Sequence, residues 1–150
     1  DTTRIMIGEI ENKIKTIISD NLEDYFGDAW LVKGLPRNIY TKAKKMADDR
    51  TYDLLFNNDD ADDIKIWDFV PLSDYQAIVL NGKNWSTFFE DIMVRPEETK
   101  IAGGKEAKTQ WILRLSAIKN KLSKESYSVP VDEYSYVKSI HDWIMDMLTL

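Results

Sequence analysis

Trp111-Ile112-Leu113-Arg114-Leu115-Ser116-Ala117-Ile118-Lys119-Asn120-Lys121-Leu122-Ser123-Lys124 places large apolar residues at Trp111, Leu115, Ile118 and Leu122, in steps of four, three and four. That is the period of an α-helix with one buried stripe. The pattern predicts a long helix from about Lys105. Downstream, Ser126 to Pro130 breaks it, Asp132 is a candidate N-cap, and Val137, Ile140, Ile144 and Met147 line a final helix.

The same period runs upstream. Ile7, Ile10, Ile14, Ile17, Ile18 and Leu22 form a stripe that ends at Phe26-Gly27, where glycine supplies a left-handed stop. A second helix opens at Pro36, with Ile39, Ala43 and Met46 on its inner face. Asn57 to Asp63 reads as an acidic loop, and Ile64 to Val70 as helical or irregular. Another helix opens at Pro71, faces Leu72, Tyr75 and Val79 inward, and stops at Asn81-Gly82. Trp85, Phe88, Phe89 and Ile92 make an aromatic stripe on a short helix, and Arg95-Pro96 through Gly103-Gly104 is a loop. No strand-like alternation persists and no internal repeat is evident. The expected fold is all-α, a single-domain bundle of five to six helices over residues 1–150.

Composition agrees with one ordinary core. The chain has 150 residues, 43% hydrophobic and 31% charged. It has no cysteine, which excludes a disulfide framework and thiolate metal sites and suggests a reducing, cytoplasmic setting. No apolar run approaches the roughly 18 residues that span a membrane, so no membrane partner is expected. Asp1-Thr2-Thr3-Arg4 has no apolar signal core behind it. The missing initiator methionine, and an end within an apolar pattern (Met147, Leu148, Leu150), lead us to expect a domain excised from a longer protein.

Net charge is −6, which argues against non-specific nucleic-acid binding by the whole surface. The charge is unevenly spread. Lys100 to Ser128 holds seven bases and two acids, a net +5 against −11 for the remainder. This basic stretch is either a solvated helix face or a phosphate-facing patch.

Simple chemistries fail on spacing. Asp59, Asp60, Asp62 and Asp63 invite a calcium reading, but an EF-hand from Asn58 would put Asp63 at the glycine position and Phe69 at the glutamate position. A solvated loop is expected, with Asp62 or Asp63 capping a short helix. Gly103-Gly104-Lys105 lacks the spacing and preceding strand of a P-loop. His141 is the only histidine and borders the apolar face of the last helix, where a structural role is expected. A zinc site needs three or four ligands, so no metal and no cofactor is expected. Trp85, Phe88, Phe89, Trp111 and Trp143 fall at helical spacing and read as core.

Three passages in order resemble the HEPN superfamily of higher eukaryotes and prokaryotes. The opening helix is followed by Tyr25-Phe26-Gly27-Asp28-Ala29-Trp30 and a Leu35-Pro36 start. Trp67-Asp68-Phe69-Val70-Pro71-Leu72-Ser73-Asp74-Tyr75 leads through Asn81 to Asn84-Trp85-Ser86-Thr87-Phe88-Phe89. A long helix then ends in Ile118-Lys119-Asn120 before a loop and final helix. The resemblance covers roughly Ile5 to Leu148.

The resemblance implies a helical module of bacterial defence or RNA-processing type. Active HEPN proteins are metal-independent endoribonucleases that work as homodimers around an Arg-Asn-x-x-x-His motif. Here Lys119 takes the arginine place, Asn120 matches the asparagine, and Lys124 takes the histidine place. Lysine keeps the charge of arginine and loses its planar fork. Lysine is also protonated at neutral pH and a poor general base.

The first expectation is therefore a module with a decayed nuclease motif. It would act in dimerisation, RNA binding or regulation within a larger prokaryotic phage-defence or toxin–antitoxin type protein. Arg114, Lys119, Lys121 and Lys124 would be its RNA-binding residues, and Trp111 and Leu115 the dimer surface. The alternatives are an active metal-independent endoribonuclease using Lys119, Asn120 and Lys124, and an unrelated helical protein-interaction domain whose acidic remainder binds a basic partner.

Overall fold

A computed structural model describes residues 2–147. Those residues are all-helical, with no strand among them. The α-helices are α1 (Thr2–Phe26), α2 (Trp30–Gly34), α3 (Arg37–Phe56), α4 (Tyr75–Val79), α5 (Lys105–Lys108), α6 (Gln110–Leu122) and α7 (Val131–Asp146). Seven α-helices replace the expected five to six, because the helix expected from Lys105 is divided into α5 and α6 and because α2 forms where no helix was expected. Leu148 and Leu150, read as continuing the last apolar pattern, lie outside the described residues.

The isoleucine stripe of α1 is buried along its length, and α1 packs most extensively on α7. Gly27 ends α1 in the left-handed region, at φ 66°. In α3 the inner line is Ile39, Ala43 and Ala47. Met46 is 47% exposed, because a step of one residue from Ala47 turns about 100° around the helix.

The expected long helix from Lys105 breaks at Thr109, which has φ −111° and ψ 8°. The Thr109 hydroxyl donates to the Lys105 carbonyl at 2.8 Å. Gln76 Nε2 donates to Thr109 Oγ1 at 3.0 Å and to the Glu106 carbonyl at 3.2 Å. Gln76 thus binds the Glu106 carbonyl and the Thr109 hydroxyl from outside the helix, where the chain turns between α5 and α6.

The Pro71 helix opens as a 3-10 turn, Leu72–Asp74, before α4. The aromatic stripe forms one π turn, Trp85–Phe89, closed by Glu90 N–H donating to the Trp85 carbonyl at 2.8 Å. Its anchor is Asn84, which is buried and donates to the carbonyls of Gly34 (2.8 Å) and Ile78 (2.9 Å). Asn81 Nδ2 also donates to the Gly34 carbonyl, at 3.0 Å. Gly34 sits against the core: a Cβ there would lie 2.8 Å from Leu22 Cδ1.

Asp132 does not cap α7. The helix starts one residue earlier, after extended Pro130, and Tyr134 N–H donates to the Pro130 carbonyl at 3.0 Å. Asp132 and Glu133 still lie in the first turn, where negative charge suits the helix dipole. Asp62 and Asp63 cap nothing either. The Asp62 N–H donates to Asp60 Oδ1 at 2.8 Å, and the next helical turn begins at Ile66.

Candidate functional site

The end of α6 carries the motif. Ile118 and Leu122 face the core, so the residues between them, Lys119, Asn120 and Lys121, emerge at the surface with Lys124 just beyond. Of these only Lys119 lines a groove of about 380 Å³, together with Leu122 and Ser123, and the first half of α1 forms its other wall with Arg4, Gly8, Glu11 and Asn12. A Cβ at Gly8 would meet no atom within 4 Å, so the groove is open there.

The motif charges are largely answered from within the chain. Lys119 Nζ lies 2.5 Å from Glu11 Oε1. Lys121 Nζ lies 3.0 Å from Glu133 Oε2, and the same carboxylate accepts a hydrogen bond from the Tyr127 hydroxyl. The Tyr127 and Lys121 bonds, in that order, hold the Glu133 carboxyl below its usual range. In return the Glu133 bond pushes the Lys121 amine and the Tyr127 phenol up. The Arg114 guanidinium lies over the Tyr136 ring, 3.7 Å from its centroid. Lys124 makes no ion pair among the described residues.

Asn120 is exposed, and its carboxamide makes no hydrogen bond among the described residues. The helix end is satisfied by others: Ser123 Oγ donates to the Asn120 carbonyl at 2.6 Å, and Arg4 donates to the Leu122 carbonyl. Arg4 and Ser123, and not the Asn120 amide, therefore answer the open carbonyls at this helix end.

Trp111 and Leu115 do not form a surface for a second copy. They are 1% and 0% exposed, because α6 turns its apolar stripe into the chain's own core. Trp111 Nε1 donates to the Met93 carbonyl at 2.9 Å, and its ring meets Trp143 edge-on at 5.3 Å.

His141 serves a different face. Its Nε2 lies 3.3 Å from Glu9 Oε1, without the alignment of a hydrogen bond. Glu9 and Glu11 are two residues apart on α1, roughly 200° around its axis. Lys119 and His141 therefore approach α1 from well-separated directions, and the imidazole is no part of the motif groove. Among the described residues, no group of three or more His, Cys, Asp or Glu is placed to hold a metal ion. No helix among them is long and apolar enough to cross a membrane.

Two contributors escape a reading of the motif alone. Arg4 and Glu11 complete the groove from more than a hundred residues away. Their signal is the spacing of Arg4, Gly8 and Glu11 in steps of four and three, one stripe beside the buried isoleucines.

A second polar cluster lies at the buried Arg95, in the loop before α5. Arg95 Nε donates to Glu98 Oε1 at 2.7 Å, and its guanidinium also lies over Tyr136, at 5.2 Å. Both Arg95 and Glu98 are buried, so the pair fastens the loop before α5 to the core. No protein-family model, no curated protein and no solved structure matches this chain.

Proposed function

We propose that this chain is a HEPN-like helical module whose nuclease motif has decayed. It acts by assembly, RNA contact or regulation within a larger prokaryotic protein of defence or toxin–antitoxin type. The reading rests on the residues that resemble the family and on one observation of the site. The lysine in the arginine place is tied to Glu11 at 2.5 Å, while the only imidazole of the chain meets a different face of α1. Cleavage through the 2′-hydroxyl needs a group that takes a proton near neutral pH. The motif offers lysine at both places, a residue type that makes a poor general base.

RNA contact, on this reading, falls to Lys124 and to bases upstream of the motif, since Lys119 and Lys121 are already paired. Any homodimer uses a surface other than Trp111 and Leu115.

The test is incubation of the chain with mixed cellular RNA in EDTA, beside Asn120→Ala prepared identically. Intact RNA in both is the expected result. Cleavage by the parent and not by the variant would replace this reading with that of a working ribonuclease. Gel-shift on the same samples reports whether the chain holds RNA without cutting it.

A further inference from the structure

The second half of α3 is built unlike the rest of the bundle. Its last buried residue is Ala47, and none of Asp48 to Phe56 is buried. Yet these turns carry large apolar groups. Tyr52, Leu55 and Phe56 are 67%, 60% and 73% exposed. Spacings of three and four put all three on one face. The rings of Tyr52 and Phe56 stack in solvent, 6.1 Å apart and 23° from parallel. Each leaves on the order of 100 Å² of aromatic surface in water, in a position already ordered for contact.

The chain that follows this face is acidic. The helix runs into Asp59, Asp60, Asp62 and Asp63, and none of these carboxylates is in an ion pair among the described residues. Of the acids on the helix itself, Asp48 and Asp49 are paired with Lys44 and Lys45, and Asp53 is in no ion pair among the described residues. An apolar face followed by an uncompensated anionic loop selects its partner by charge. A second copy meeting face to face would add like charge to like, which is unfavourable.

We propose that the Tyr52–Leu55–Phe56 face docks a cationic amphipathic segment of a partner protein, apolar side chains against the rings and lysines or arginines over the aspartate loop. The site is separate from the motif groove and does not depend on the HEPN reading.

The probe is a fluorescein-labelled model helix with leucines at helical spacing and lysines elsewhere, followed by anisotropy. A lysine-only peptide and a leucine–glutamate helix are the controls. The leucine–lysine helix is expected to bind and the controls to bind far more weakly. Tyr52→Ser with Phe56→Ser should weaken binding about tenfold or more at unchanged net charge. Asp59, Asp60, Asp62 and Asp63 to Asn should weaken it similarly and flatten its salt dependence. All these positions are exposed, so far-UV circular dichroism should be unchanged. Equal binding by the serine variant, or no binding by the parent, overturns the proposal. Concentration-dependent self-association that the serine variant abolishes would also overturn it, assigning the face to a second copy.

Discussion

Lys119 and Glu11 face each other across 2.5 Å, joining the end of α6 to the first half of α1. Lys119 is half-exposed, so the pair contributes less than about 1 kcal/mol to folding. Its larger effect is on what else Lys119 can hold. In Glu11→Gln the ammonium is released to solvent. We expect unchanged thermal stability and tighter retention on single-stranded RNA at low salt, with a steeper salt dependence by about one phosphate contact. Identical salt slopes for parent and variant would show that Lys119 takes no part in RNA contact.

Leu115 belongs to the core. Leu115→Ala should destabilise the chain by about 3 kcal/mol, the usual result of a cavity at a fully buried leucine. Denaturant unfolding measures this directly. Sedimentation of the folded variant should give the same mass as the parent. A change in mass without loss of stability would return Leu115 to an interface.

Asn84 is a further structural point within the resemblance. Removing its carboxamide takes away the donors to Gly34 and Ile78 in a buried setting. Asn84→Ala is expected to lower stability by about 2 kcal/mol, a fall in Tm of roughly 4–8 °C. Calorimetry decides it. A variant that melts with the parent would mean that those carbonyls find other partners.

The Tyr127–Glu133–Lys121 cluster should respond to pH in two directions. The Glu133 carboxyl is held low, so its contribution is present above the ordinary carboxylate range and is lost as pH falls through the depressed value. The Lys121 amine is held high, so its share is present below the ordinary lysine range and is lost as pH rises through the raised value. The contact is thus intact across neutral pH and opens at either extreme. An NMR titration of the Glu133 side chain should give a low midpoint in the parent and an upward shift in Tyr127→Phe. An unmoved midpoint in Tyr127→Phe would contradict the part given to the tyrosine bond.

The stripes of α1, α6 and α7 were legible because each helix buries one face, and burial writes a local period into the sequence. The break at Thr109 was not, because it depends on Gln76, 33 residues earlier in the chain. The Asp132 cap failed for a local reason: extended Pro130 starts the helix before the aspartate is reached. At the site, Lys119 and Lys124 could be named from the motif, but the chain's answer to Lys119 could not. Glu11 lies 108 residues away, and an acid on an amphipathic helix looks the same whether it meets water or a lysine. Trp111 and Leu115 show the converse. Periodicity marks an apolar stripe and leaves open whether this chain or another covers it.

The packing of α1 chiefly on α7 also bears on how the chain acquires its structure. A nascent chain that has emerged only as far as Pro130 holds the whole isoleucine stripe of α1 and none of the helix that packs on it most extensively. At about 5–20 residues per second, synthesis from the end of α1 to the start of α7 takes on the order of 5–20 s. During that interval the stripe is open to any apolar surface it meets. The helix made earliest in this segment therefore waits longest for its most extensive partner, and the yield of folded chain depends on what shields it in the meantime.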